Sequence, residues 1–192
     1  MPGWAVVLVM AKGVLNAMGA SLCHAAILMP PMKNPCETVM TPPSIAAQVH
    51  QESAWRPDAV SHVGAQGLAQ FMPATSRWIA TQAPELAAPQ PYNRAWALRA
   101  LVTYDRWLYQ RTPTRYTPYE RMWVALRSYN GGLGHWQQEA ASTGLAQPSR
   151  AQVDAACGSA RRAAVHCKEN LGYPHRILVV LQPRYLQWGP GL

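Results

Sequence analysis

A chain of 192 residues, 49% of them apolar and 14% charged, is long enough to close one domain around a sizeable core and too apolar to remain disordered. Its 17 Lys and Arg against 9 Asp and Glu give a formal charge of +8. The basic residues are scattered, with no run longer than Arg161-Arg162. That argues against a nucleic-acid-binding stripe and leaves diffuse attraction to an anionic polymer or membrane, or plain solubility, as readings of the charge.

Residues 1–29 differ in texture from the rest. Ala5 to Met10 is an apolar run, Lys12 interrupts it, and a weakly apolar stretch continues to Met29, with no acid before Glu37. The pattern fits an export signal, a membrane-arrested segment, or one or two helices packed on the domain. It lacks a well-placed charged start and a clean Ala-x-Ala site, and it falls short of the ~20 continuous apolar residues of a membrane span. Cys23 follows Leu22, where a lipid-attachment motif needs a small residue. Pro30-Pro31 and Pro42-Pro43 bracket a turn-rich stretch. The chain therefore divides into an apolar segment with a linker over 1–41 and a folded domain over 42–192.

Beyond the linker the signals are helical. Ile45, Val49 and Glu52 fall at i, i+4 and i+7 of a segment over 44–53, which predicts a helix with all three on one face. Pro73 suits the first turn of a helix running through Trp78. Asn93 caps a long helix to about Arg111, with Trp96, Leu101, Tyr104 and Leu108 among its apolar positions. Thr117-Pro118-Tyr119-Glu120 is a capping box; its helix carries Met122, Leu126 and Tyr129 and is stopped by Gly131-Gly132. Ser149-Arg150-Ala151-Gln152 is a second capping box, and Pro174 starts a last helix through Ile177, Leu178 and Leu181. With no convincing strand alternation and no internal repeat, a mainly α domain is expected, with room for a small β element.

Cys23, Cys36, Cys157 and Cys167 show no Cys-x-x-Cys spacing. Cys157 and Cys167 flank a short segment. They either form a disulfide, contributing on the order of 2–3 kcal/mol and implying an oxidising compartment, or stay buried as thiols. The 6 His have no ligand spacing, and no phosphate loop, nucleophile elbow, dinucleotide fingerprint or His-Glu-x-x-His is present. Neither a metal nor an organic cofactor is expected.

The chemistry converges on Glu52. A carboxyl on the core-facing side of a helix is poorly solvated, which favours its protonated form, and a protonated carboxyl at the edge of a cleft is the general acid that glycosidic cleavage needs. Glu52-Ser53 is followed by Gly67-Leu68-Ala69-Gln70 with Met72-Pro73, then by Ser128-Tyr129-Asn130-Gly131-Gly132 and a late Tyr173-Pro174. This ordered set resembles the soluble lytic transglycosylase family, related to goose-type lysozyme, over roughly residues 42–185. Ala69 stands where Met is usual and Ser128 where Ala is usual; neither departure touches the acid.

The resemblance implies a lysozyme-like α-helical domain with a substrate cleft, acting on peptidoglycan glycan strands. It makes Glu52 the one essential acid. It places Ser53 and Gln70 along the sugar site, bonded to substrate or to Glu52, Tyr129 beside Glu52, Asn130 against the sugar, and Tyr173 nearby. Gly67 and Gly64 would let the backbone approach the ligand or take positive φ, and Met72 would be core or a floor to the cleft. Trp55 and Trp136 lie closest to the motifs among aromatic rings suited to sugar faces. The implied reaction cleaves the β-1,4 bond between N-acetylmuramic acid and N-acetylglucosamine, with the acetamido group assisting and the sugar's 6-hydroxyl attacking to leave a 1,6-anhydro end.

The rivals are a hydrolytic muramidase on the same fold, for which Asp58 is the first candidate second carboxylate, and a non-catalytic wall-binding or virion protein. The expected setting is an exported monomer acting in the periplasm or cell wall, with no nucleic-acid partner and membrane association through residues 1–29. The tail, from Tyr173-Pro174-His175-Arg176 to Trp188-Gly189-Pro190-Gly191, looks like that of phage or prophage lysis enzymes.

Overall fold

The computed structural model describes residues 40–192; residues 1–29, with the export or anchoring expectation they carry, and Cys23 and Cys36 lie outside the described residues. Seven α-helices follow in order: α1 (Pro42–Ser53), α2 (Pro73–Ile79), α3 (Arg94–Tyr109), α4 (Pro118–Gly131), α5 (Leu133–Ser142), α6 (Arg150–Ala155) and α7 (Cys167–His175). The only extended pairing among the described residues is a pair of isolated bridges, Val60 with Gln66 and Gln66 with Phe71.

The helix starts obey local chemistry. Thr41 caps α1 by accepting from the Ser44 N–H, and Pro42-Pro43 occupy its first turn, where their missing donors go unused. The proline pair expected to mark a linker thus opens the helix. Asn93 Oδ1 accepts from the Trp96 N–H at 3.1 Å to start α3. Both capping boxes are complete, Thr117 with Glu120 at α4 and Ser149 with Gln152 at α6. Each such cap contributes about 1 kcal/mol.

Two elements differ from the sequence expectation. Gly132, at φ +87°, does end α4, but α5 begins at the next residue, so the glycine turns the chain between two helices. Pro174 lies inside α7, and the helix starts seven residues earlier at Cys167. Proline has no N–H to offer the carbonyl four residues back, and beyond it the winding widens into a π-helical stretch, Arg176–Leu181, then a 3₁₀ segment, Gln182–Trp188.

The core has three parts. Ile45, Val49, Leu68, Phe71, Ile79 and Leu101 pack α1 and α2 on α3. Leu108, Met122, Leu126, Tyr173, Ile177 and Leu181 join α3, α4 and α7 with the π stretch. Tyr116, Val124, Trp136 and Val153 seat α5 and α6 on the far side of α4. Burying a side chain of this size contributes about 1.5–3 kcal/mol. Trp136 belongs to that third cluster, 5% exposed, as a packing residue and not a sugar platform. Cys157 and Cys167 are joined, with Cα atoms 5.9 Å apart, stapling the loop that leads into α7.

Candidate active site

Helix α1 puts Ile45, Gln48, Val49 and Glu52 on one stripe, with the first three buried and Glu52 at its C-terminal end, partly exposed. The helix stops because Ala54 takes a left-handed conformation, φ +49°, and Trp55 follows at φ +66°. Two consecutive non-glycine residues there need outside support. It comes from the C-terminal 3₁₀ segment: Trp55 Nε1 donates to the Tyr185 hydroxyl at 2.9 Å, and Tyr185 shares a 2.7 Å bond with His50 Nδ1. The turn directly after Glu52 is thereby pinned, through Trp55, by a residue 130 positions away in the chain.

Glu52 Oε1 accepts a short hydrogen bond from the Tyr173 hydroxyl. Burial pushes its carboxyl up to about 7; the Tyr173 bond pulls the other way, and the nearby Glu169 adds a further upward push. Such a group holds its proton close to neutrality and can surrender it there. Tyr173 is 5% exposed and stacks on Tyr129, ring centroids 6.4 Å apart and nearly parallel at 10°. Tyr129 in turn packs against Phe71 and Tyr104. Its own hydroxyl donates to the Ala69 carbonyl at 2.6 Å, so the direct partner of Glu52 is Tyr173, and Tyr129 stands behind it, tying α4 to the 67–70 loop.

The other expected site residues divide between holding the site and facing it. Ser53 is buried and its hydroxyl donates to the Val49 carbonyl of its own helix. Gln70, at φ +48°, donates through Nε2 to the carbonyls of Gly67 (2.8 Å) and Ala59 (3.2 Å), closing the loop after α1 on itself. Gly67, at φ +72°, is approached by protein: a Cβ there would lie 1.9 Å from the Pro91 carbonyl oxygen, so no other residue fits. Met72 is 42% exposed at the start of α2, outside the core, while its neighbour Phe71 fills the core. Asn130 is exposed, donates to Glu169 Oε1 and accepts from Asn170.

A cleft of about 440 Å³ lined by Gln51, Lys168, Glu169, Tyr173 and Arg176 runs beside this cluster, and one of about 430 Å³ lined by Asn130, His135, Arg161 and Arg162 lies across Glu169. Asp58 is exposed in the turn after α1. The carboxylates that bear on Glu52 are instead Glu169, at the cleft, and Asp105, sealed in the core. Asp105 had a signal in the sequence: it interrupts the apolar spacing Leu98, Leu101, Leu108 on one face of α3. Glu169 had none, being one more charge on a surface helix. Among the described residues no group of three or more His, Cys, Asp or Glu could hold a metal ion.

Residues 32–150, more than half of the chain, match the family model described as the transglycosylase SLT domain. Over 91 residues, 47% of the chain, it is 35% identical to a membrane-bound lytic murein transglycosylase F of Pasteurella multocida and to one of Maricaulis maris, spanning only 17% and 18% of their lengths. Among solved structures it shares the fold of the 70 kDa soluble lytic transglycosylase of Escherichia coli, with a TM-score of 0.53 and 21% identity, covering 78% of this chain and 22% of that one.

Proposed function

The chain belongs to the transglycosylase SLT domain family, and from that premise we propose that residues 42–192 form a peptidoglycan lytic transglycosylase domain that cleaves the N-acetylmuramic acid–N-acetylglucosamine β-1,4 bond and leaves a 1,6-anhydro end. The observation that carries the proposal is Glu52: a desolvated carboxyl, bonded by a phenol, that keeps its proton up to about 7. It protonates the leaving oxygen and then, as carboxylate, takes the proton of the sugar's own 6-hydroxyl. Tyr173 orients the carboxyl, and Asn130 with Glu169 borders the sugar site. Ser53, Gln70, Gly67 and Tyr129 hold the loop and the ring stack on which that geometry depends.

Attack by the 6-hydroxyl is favoured over attack by water because the tethered group has no translational entropy to lose. The buried second acid, Asp105, has no access to solvent and so no water to activate. Among the described residues, Glu169 is the one carboxylate placed to serve a hydrolase. Mass analysis of muropeptides released from purified wall separates the two. Products one water lighter than reducing ends, unchanged in type by Glu169→Gln, support the transglycosylase. Reducing ends that vanish with Glu169→Gln would replace it with a muramidase.

The proposed site of action is the cell wall reached from the periplasm, and the setting is wall breakdown of the kind phage lysis enzymes perform, supported by the 173–191 tail. No helix among the described residues is long and apolar enough to cross a membrane.

A further inference from the structure

Asp105 sits in the middle of the buried stripe of α3, and none of its surface reaches solvent. Facing it from α1 is Gln48, equally buried and one helical turn before Glu52. Gln48 Nε2 donates to Asp105 Oδ1 at 3.3 Å. The two remaining oxygens, Asp105 Oδ2 and Gln48 Oε1, are both buried and both without a partner. A carboxylate and an amide oxygen are acceptors only, so an ionised Asp105 would strand two acceptors in dry surroundings within groups already joined by one bond. The pair lacks a single O–H, and a carboxylic acid carries one. An acid and an amide each present one donor and one acceptor and are complementary as a ring.

We infer that Asp105 is a positioning residue for Glu52: a neutral carboxylic acid whose Oδ2–H donates to Gln48 Oε1, closing with the Nε2 bond a two-bond ring that ties α3 to the turn of α1 carrying Glu52. The surroundings agree. The titratable groups that face Asp105 are Glu52 from α1, Tyr104 from its own helix, Tyr129 from α4 and Tyr173 from α7. None is a cation, and burial drives the Asp105 carboxyl well above the usual range. Such a cluster resists a first negative charge and resists a second far more. A neutral Asp105 leaves that charge to Glu52 at the moment Glu52 gives up its proton. This role rests on the assignment of Glu52 as the acid; the protonation state of Asp105 does not.

The test separates the two. In the full chain carrying Glu52→Gln, and in the same chain with Asp105→Asn added, infrared difference spectra at about pH 6, well above an ordinary Asp, should show a protonated-carboxyl band that the second substitution removes. Above about pH 4, the folding equilibrium constant of the single variant should fall about tenfold per pH unit faster than that of the double variant, because the fold would hold a proton that the unfolded chain releases. A carboxylate band, or stability curves that run parallel with pH, would overturn the inference without touching the assignment of Glu52. In the otherwise wild-type chain, Asp105→Asn supplies the same donor and acceptor and should keep the alkaline limb of the activity profile in place. A limb moved to lower pH would mean that a negative charge had been removed from beside Glu52, and would also overturn it.

Discussion

Glu52 and Glu139 are both glutamates turned toward the interior from helices, and they have opposite surroundings. Glu139, on α5, has no exposed side-chain surface and meets two guanidiniums, Arg127 Nη2 at 2.7 Å and Arg162 Nε at 2.7 Å. Arg127, itself fully buried, also bonds Asp154 Oδ1 at 2.7 Å and Asn170 Oδ1 at 3.0 Å, so one arginine joins α4, α5, α6 and α7. Glu52 has a phenol and no cation. The difference separates a strut from an acid. A buried carboxylate matched by cations is an anchor whose removal leaves charge stranded. One left without them holds its proton and is ready to give it up. The chain places the two chemistries on opposite sides of α4, which carries Arg127 into one and Tyr129 into the other.

The sharpest break of that comparison is on the acid side. Glu52→Gln should keep the fold and lower turnover on purified wall by ~10²–10⁴-fold, since proton transfer is what it removes. Turnover near that of wild type would end the assignment. On the strut side, Glu139→Gln should leave turnover per folded molecule intact but lower stability by about 3–5 kcal/mol, because Arg162 loses its counter-charge in the core and Arg127 keeps only Asp154. A shift of the urea midpoint measures this, and an unmoved midpoint would show that the network does not stabilise the fold. Reducing the Cys157–Cys167 bond, which closes the loop behind Arg162, should cost about 2–3 kcal/mol; calorimetry with and without reductant checks it.

Linkage sharpens the contrast further. Glu52 binds its proton up to about 7 when folded and up to 4.5 in an ordinary setting. The fold therefore holds the extra proton in that window, so the stability from Glu52 is complete below about 4.5 and is lost as pH rises through about 7. Glu52→Gln should flatten this slope and raise stability at alkaline pH by about 2 kcal/mol, a figure reduced for the partial exposure of the site. Activity should fall through the same range near 7. The smallest expected effect is that of Tyr173→Phe. Its hydroxyl stabilises the carboxylate, so its loss should move the alkaline limb of the pH–rate profile upward by about one unit. A limb that stays in place would show that the Tyr173 bond does not tune Glu52.

How much of this was legible beforehand depended on how local the cause was. Thr117 with Glu120, Ser149 with Gln152, and Asn93 each act within four residues, so α3, α4 and α6 start where their caps announce them. The stripe Ile45, Val49, Glu52 is likewise a property of one helix, and it marked Glu52 before any neighbour was known. Proline misled twice because its effect depends on position: Pro42-Pro43 open a helix rather than interrupt the chain, and Pro174 sits late in one that Cys167 begins. Helix α5 was missed because Gly131-Gly132 reads as a stop, and only packing on α4 shows that the chain turns and continues.

What the sequence by itself determined was the helical framework, the family resemblance and Glu52 as the proposed acid, because capping, periodicity and motif order are written along the chain. Which tyrosine reaches Glu52, that Asp105 and Glu169 rather than Asp58 are the carboxylates near it, that Gly67 admits Pro91, and that Tyr185 supports the turn at Trp55 were decided by the tertiary structure. Those contacts join residues from about 25 to 130 positions apart. Proton affinity also depends on desolvation, which comes into being only when the helices pack and water leaves.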